Sequence, residues 1–118
     1  MAETLKYQSR IELLQGALEM LVLQALLPEP MHGYPIAWVI RSRSSEAFTV
    51  ESCSLYPALH RLERQKWVKP EWRVTESKRR AKLYQLTALG KKQLTADHGR
   101  WLQLVRALGA AMEPEVQP

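Results

Sequence analysis

A mainly α, α+β fold is predicted by three features of the 118-residue sequence. Apolar residues recur at helical spacing through its first half. The period then changes from helical to two between Trp67 and Leu86, and a long run with heptad-like spacing follows from Ala88.

Residues 1–10 are polar and read as a loose arm. From Ile11 to Leu27 one stripe holds Ile11, Leu14, Leu18, Leu21 and Ala25, and Leu13, Met20 and Leu23 widen it, so this helix is expected to be buried on two sides. Pro28 and Pro30 end it, because proline lacks a backbone donor and restricts the residue before it. His32-Gly33-Tyr34-Pro35 reads as a turn into a second helix carrying Ile36, Ala37, Val39 and Ile40, which fades in the polar run Arg41 to Glu46. Thr49 to Glu51 is open to two readings, a short strand or an extended connector. Ser52 and Ser54 are both N-cap candidates for a third helix, with Leu55, Leu59 and Leu62 as its core stripe.

Val68, Pro70, Trp72 and Val74 alternate with Trp67, Lys69, Glu71 and Arg73, and Ala81 to Leu86 follows a polar loop, which makes a β-hairpin with Pro70 at an edge. Trp67 and Trp72 flank this hairpin and are expected to pack its base rather than to stack on nucleic-acid bases. Thr87 caps the last helix, Ala88 to about Met112, and the tail from Glu113 is expected to fray. This order describes a winged helix-turn-helix over residues 11–87, with a two-stranded wing and a long carboxy-terminal dimerisation helix over 88–112. A generic α+β domain with the same order is the alternative.

Length and composition narrow the function. The chain is one domain's worth, too short for a two-domain enzyme. Cys53 is the only cysteine, which leaves no intramolecular disulfide and no CxxC metal pair. No cofactor or metal is expected, and a reducing cytoplasm is the expected compartment. The apolar run from Leu13 to Leu27 is interrupted by polar residues and too short to span a membrane, and no signal peptide is visible. His32, His60 and His98 fall in different elements, no nucleophile or phosphate-binding motif is present, and the sequence does not read as an enzyme.

The net charge of +5 is local. Residues 60–82 hold nine basic and three acidic side chains, a net +6, so the rest of the chain sums to −1. A third helix presenting Ser54, Tyr56, Pro57, His60, Arg61 and Arg64 suits a major groove, and the hairpin cluster Lys78, Arg79, Arg80 and Lys82 suits phosphates or a minor groove. The bland reading of the helix is a solvated face with Arg61 or Arg64 paired locally to Glu63 or Gln65. Two basic features on one small domain favour duplex DNA; the runner-up is an interaction module that sets the same face on an acidic protein or RNA.

Leu94, His98, Trp101, Val105, Leu108 and Met112 make a seam longer than one small domain can cover, and the first helix, through Leu14, Leu18 and Leu21, has surface to spare for it. A homodimer built from the first and last helices is expected. His98 in that seam predicts association sensitive to mildly acidic pH.

The sequence resembles the PadR-type transcriptional regulators. The resemblance rests on Met31-His32-Gly33-Tyr34, on Ser54-Leu55-Tyr56-Pro57-Ala58-Leu59-His60-Arg61-Leu62-Glu63, and on Arg79-Arg80-Ala81-Lys82-Leu83-Tyr84-Gln85-Leu86-Thr87 with Gly90 beyond. It implies a homodimeric repressor that binds a pseudo-palindromic operator through the third helix and wing, and a flat hydrophobic effector held near Trp101. Two departures stand out. Ser52 and Cys53 replace the acidic residue and glycine found before the recognition helix in one subgroup, which places a thiol near the DNA. Lys66 replaces the usual helix-ending glycine, so the helix must stop differently or hold one residue in the left-handed region.

Overall fold

The computed structural model describes residues 16–113. Helix α1, whose described part covers residues 16–26, is followed by α2 (Gly33–Arg43), α3 (Ser52–Arg64), strands β1 (Val68–Val74) and β2 (Arg80–Leu86), and α4 (Ala88–Met112). This is the winged helix-turn-helix with a long terminal helix that the periodicities indicate. The expectations on residues 1–15, among them Ile11, Leu13 and Leu14, and on the tail beyond Glu113, lie outside the described residues.

The core gathers Val22, Leu23, Ala25 and Leu26 from α1, Ile36 and Ile40 from α2, Leu55, Leu59 and Leu62 from α3, and Val68, Tyr84, Leu86 and Leu94 from the elements that follow. All three leucines expected on α3 are buried. On α1 the expected stripe is displaced: Val22 and Leu26, outside it, are fully or almost fully buried, whereas Leu18 and Leu21 are only partly so. The α1 face that meets α2 and α3 therefore lies beside the stripe that spacing alone selects.

Thr49 to Glu51 form a connector, not a strand, with Glu51 in extended backbone. Neither Ser52 nor Ser54 caps α3. Glu51 occupies the cap position with extended backbone and no side-chain cap bond, and both serines are already inside the helix. Its other end closes through Lys66 in the left-handed region, at φ 63°. Lys66 N–H donates to the Glu63 carbonyl at 2.9 Å and Trp67 N–H to the Leu62 carbonyl at 3.1 Å, the paired bonds of a Schellman stop. A lysine thus holds a conformation that glycine adopts without strain.

β1 and β2 pair antiparallel from Val68↔Leu86 to Val74↔Arg80. Tyr84 exchanges both its backbone bonds with Met31, at 2.8 and 3.1 Å, so those groups point away from β1. Pro70, opposite Tyr84, therefore sits in a non-hydrogen-bonded pair at the outer edge, where its missing N–H leaves no gap in the ladder.

Thr87 joins three elements. Its Oγ1 accepts from Gly90 N–H at 3.0 Å and donates to the Lys66 carbonyl at 2.7 Å, while its N–H donates to the Trp67 carbonyl at 3.0 Å. Gly90 is required for this approach, since a Cβ there would collide with the Trp67 carbonyl oxygen and crowd Leu86. The first turns of α4 are docked on the domain through Gly90 and Leu94, the two buried residues of the helix. Among the described residues no helix is long and apolar enough to cross a membrane.

Candidate nucleic-acid interface

Helix α3 divides cleanly. Leu55, Ala58, Leu59 and Leu62 face the core, and Cys53, Ser54, Tyr56, Pro57, His60 and Arg64 are exposed. Pro57 sits inside the helix and cannot donate to the carbonyl one turn earlier, so backbone polarity stays open near the exposed amino-terminal end. The Tyr56 ring lies against the start of α2: a Cβ on Gly33 would stand 2.7 Å from its hydroxyl oxygen. Glycine at 33 is what lets α2 and α3 meet there, and it gives the His32-Gly33-Tyr34 segment a physical reason.

Two of the expected DNA-facing cations are occupied within the chain. Arg61 Nε donates to Glu19 Oε1 on α1 at 2.6 Å, and both side chains are partly buried. Lys82 Nζ lies 2.7 Å from Glu63 Oε1, and stands 5.1 Å from the Tyr84 ring centroid. The Glu63 carboxylate raises the Lys82 ammonium above its usual range, against a smaller opposing effect of burial. Burial also raises the Tyr84 phenol, an effect that the neighbouring Lys82 charge partly offsets. A local pairing of Arg61 with Glu63 is not formed; each instead pairs across elements, Arg61 with Glu19 of α1 and Glu63 with Lys82 of β2. These two pairs fasten α3 on both flanks.

The hairpin tip contrasts with this. Lys78, Arg79 and Arg80 are exposed, and no salt bridge engages them among the described residues. The tip itself is ordered by Thr75: its N–H donates to the Arg79 carbonyl at 2.9 Å, and its hydroxyl accepts from Arg79 N–H at 3.3 Å. Lys78 takes the left-handed conformation, at φ 61°, that closes the turn.

Trp67 packs against the core as expected, but Trp72 does not. It is 54% exposed, and Arg80 stacks over its ring at 4.7 Å from the centroid. The reason is geometric: the face of β1 that is buried at Val68 continues outward past the limit of the helical layer, so at Trp72 the same face meets arginine and water instead of leucine. Cation–π attraction holds the Arg80 guanidinium over the indole.

On α4 the expected seam separates into two parts. Leu94 is buried in its own chain's core. His98, Val105, Leu108 and Met112 are exposed, and Leu102 and Leu104 add to the apolar surface. Trp101, partly buried, lines a 280 Å³ groove with Gly16, Ala17 and Met20 of α1 and Leu104. Cys53 is exposed, and its thiol lies 3.5 Å from Glu51 Oε2. Among the described residues no group of three or more His, Cys, Asp or Glu side chains could hold a metal ion.

Comparisons with known proteins agree with this architecture. A family model described as the transcriptional regulator PadR-like family matches residues 22–96. A transcriptional regulator of Mycobacterium tuberculosis is 30% identical over 95 residues, covering 80% of this chain and 85% of that protein. The crystal structure of a PadR family transcriptional regulator from Eggerthella lenta is 31% identical, with a TM-score of 0.73 and 97% of each chain covered. A transcriptional regulator from Clostridium thermocellum shares the fold at a TM-score of 0.79 and 24% identity, over 86% of this chain and 99% of that one.

Proposed function

The chain belongs to the PadR-like family of transcriptional regulators, and from that premise we propose that it acts as a homodimeric repressor of a pseudo-palindromic DNA site. The observation that carries the DNA reading is the pairing of an exposed α3 face with an ordered, unpaired cationic hairpin tip, the two held on one frame by the Glu63–Lys82 contact. In this reading Ser54, Tyr56, Pro57, His60 and Arg64 enter the major groove, and Lys78, Arg79 and Arg80 contact phosphates or the adjacent minor groove. Arg61 and Lys82 serve first as braces that orient α3, and they reach DNA only by leaving their carboxylates.

The dimer rests on α4. Beyond Leu94 it has no buried residue, yet it runs to Met112 with Val105 and Leu108 more than half exposed. A helix half whose tertiary packing is confined to the partly buried Trp101 is marginal in water, so a partner's α1 and α4 are the natural cover for it. The groove beside Trp101 lies at that junction and suits a flat hydrophobic effector that weakens DNA binding.

Titrating the duplex upstream of the protein's own gene by fluorescence anisotropy over a salt series tests the DNA reading. A steep log–log salt dependence and a clear preference over scrambled duplex are expected. Equal affinity for both duplexes at every salt concentration overturns it and favours a protein or RNA partner. Leu108→Glu should convert the dimer to monomer in sedimentation; an unchanged mass would reject the α4 interface.

A further inference from the structure

A second, larger groove lies between the first turns of α2, the segment preceding them and the wing, on a part of the fold that neither α3 nor the α4 seam uses. Its volume is 610 Å³, within the roughly 300–1,000 Å³ of small-molecule sites. The floor is apolar: Leu83 of β2 is buried there, with Met31 and Val39 beside it. Tyr34 and Trp38, one helical turn apart on α2, stand along it 79% and 61% exposed. Two large aromatics left side by side in water are unusual on a small domain, and nothing in the DNA reading requires them.

The polar groups of the groove are few and of one kind. Among the described residues Glu29 is the only charged side chain lining it, in a chain whose net charge is +5. His32 Nδ1 lies 3.1 Å from the Lys82 carbonyl oxygen. A carbonyl only accepts, so Nδ1 carries the proton, and in the neutral ring Nε2 remains an acceptor. A carboxylate, an imidazole acceptor and two aromatic faces all favour positive charge, and two exposed aromatic side chains one helical turn apart favour a flat ring system that can stack on them.

We infer that this groove binds a flat aromatic cation, with Trp38 and Tyr34 stacking on the rings and Glu29 meeting the charge. The site is separate from the Trp101 groove and independent of the DNA reading, because occupancy is measured on the protein alone.

Two probes of the same shape test it: N-methylacridinium, a permanent cation, and acridine, neutral in mildly alkaline buffer. The full chain, without DNA, is titrated with each and followed by probe fluorescence and calorimetry. One saturable site per chain is expected, with the cation held about tenfold more tightly than acridine. Trp38→Leu should weaken both probes about tenfold, and Glu29→Gln should weaken the cation alone by roughly three- to tenfold. Both titrations are run in the Trp101→Leu background, so that a flat probe taken up by the Trp101 groove does not contribute. Equal affinity for the two probes, binding that survives Trp38→Leu, or no binding in the Trp101→Leu background would each overturn the assignment. Glu29 is exposed and outside the core, so its variant decides the matter even if Trp38→Leu fails to fold.

Discussion

The basic footprint has two ends that differ in a way their composition conceals. At α3, Arg61 and its neighbour Lys82 are each within 2.7 Å of a carboxylate, whereas at the hairpin tip Lys78 and Arg79 face water and Arg80 lies over the Trp72 ring, none of the three with an acidic partner among the described residues. Equal formal charges therefore have unequal roles. A cation already paired must give up a bond before it can take a phosphate, so it contributes mainly to the shape of the free protein. A cation that is free contributes its full counterion release to binding.

Removing the free end should have the largest effect. The triple change Lys78→Ala, Arg79→Ala, Arg80→Ala is expected to weaken every duplex alike, on the order of a hundredfold at moderate salt, and to lower the log–log salt slope by about 2 to 3. The melting temperature should hardly move, since these side chains make no packing contacts in the core. Loss of specificity with an unchanged slope would mean that the tip reads bases. Next comes the exposed face of α3: Arg64→Ala should cost about 1–2 kcal/mol on the preferred duplex and much less on a scrambled one, measured by competition.

Freeing a braced cation should work in two directions. Glu19→Gln releases Arg61, and thermal melting should fall by about 4 °C for a loss near 1 kcal/mol, while duplex affinity rises two- to threefold. A drop in both stability and affinity would show that Arg61 works on DNA from its braced position. The smallest effect is confined to alkaline pH. Lys82 and Tyr84 both hold their protons more tightly folded than unfolded, so their contribution is complete below the ordinary tyrosine and lysine values, about 10.0 and 10.5, and is lost as pH rises through the higher folded values. Melting temperature should stay level from neutral pH to about 9.5 and then fall, less steeply in Glu63→Gln, where the main cause of the lysine shift is gone.

What the sequence could reveal of this follows from distance along the chain. The Thr87 cap and the Pro70 edge are local events, governed by neighbours within a few residues, and each is legible from residue type and position; the left-handed Lys66 is one of two helix endings left open by the family resemblance, since lysine itself does not announce it. The Arg61–Glu19 bond spans 42 residues and the Lys82–Glu63 contact joins a helix to a strand, so no window of sequence contains either pair. Trp72 shows a subtler limit. Alternation correctly assigns it to the face that holds Val68, but alternation does not say where the layer beneath that face ends. The same holds on α1, where spacing finds a helix with two apolar sides and cannot choose the one, through Val22 and Leu26, that meets the rest of the core.

The bonds through Thr87 have a mechanical meaning. Its hydroxyl takes hold of the turn that ends α3 and, at the same time, of the first turn of α4, and Gly90 leaves no slack between them. The angle between α3, proposed to face DNA, and α4, proposed to meet a second subunit, is thereby fixed at one joint. In a symmetric pair the two arms would then behave as a caliper with a locked hinge, able to match only one separation of half-sites. Any molecule that shifts the far ends of the arms would change the gap being measured, without touching the jaws.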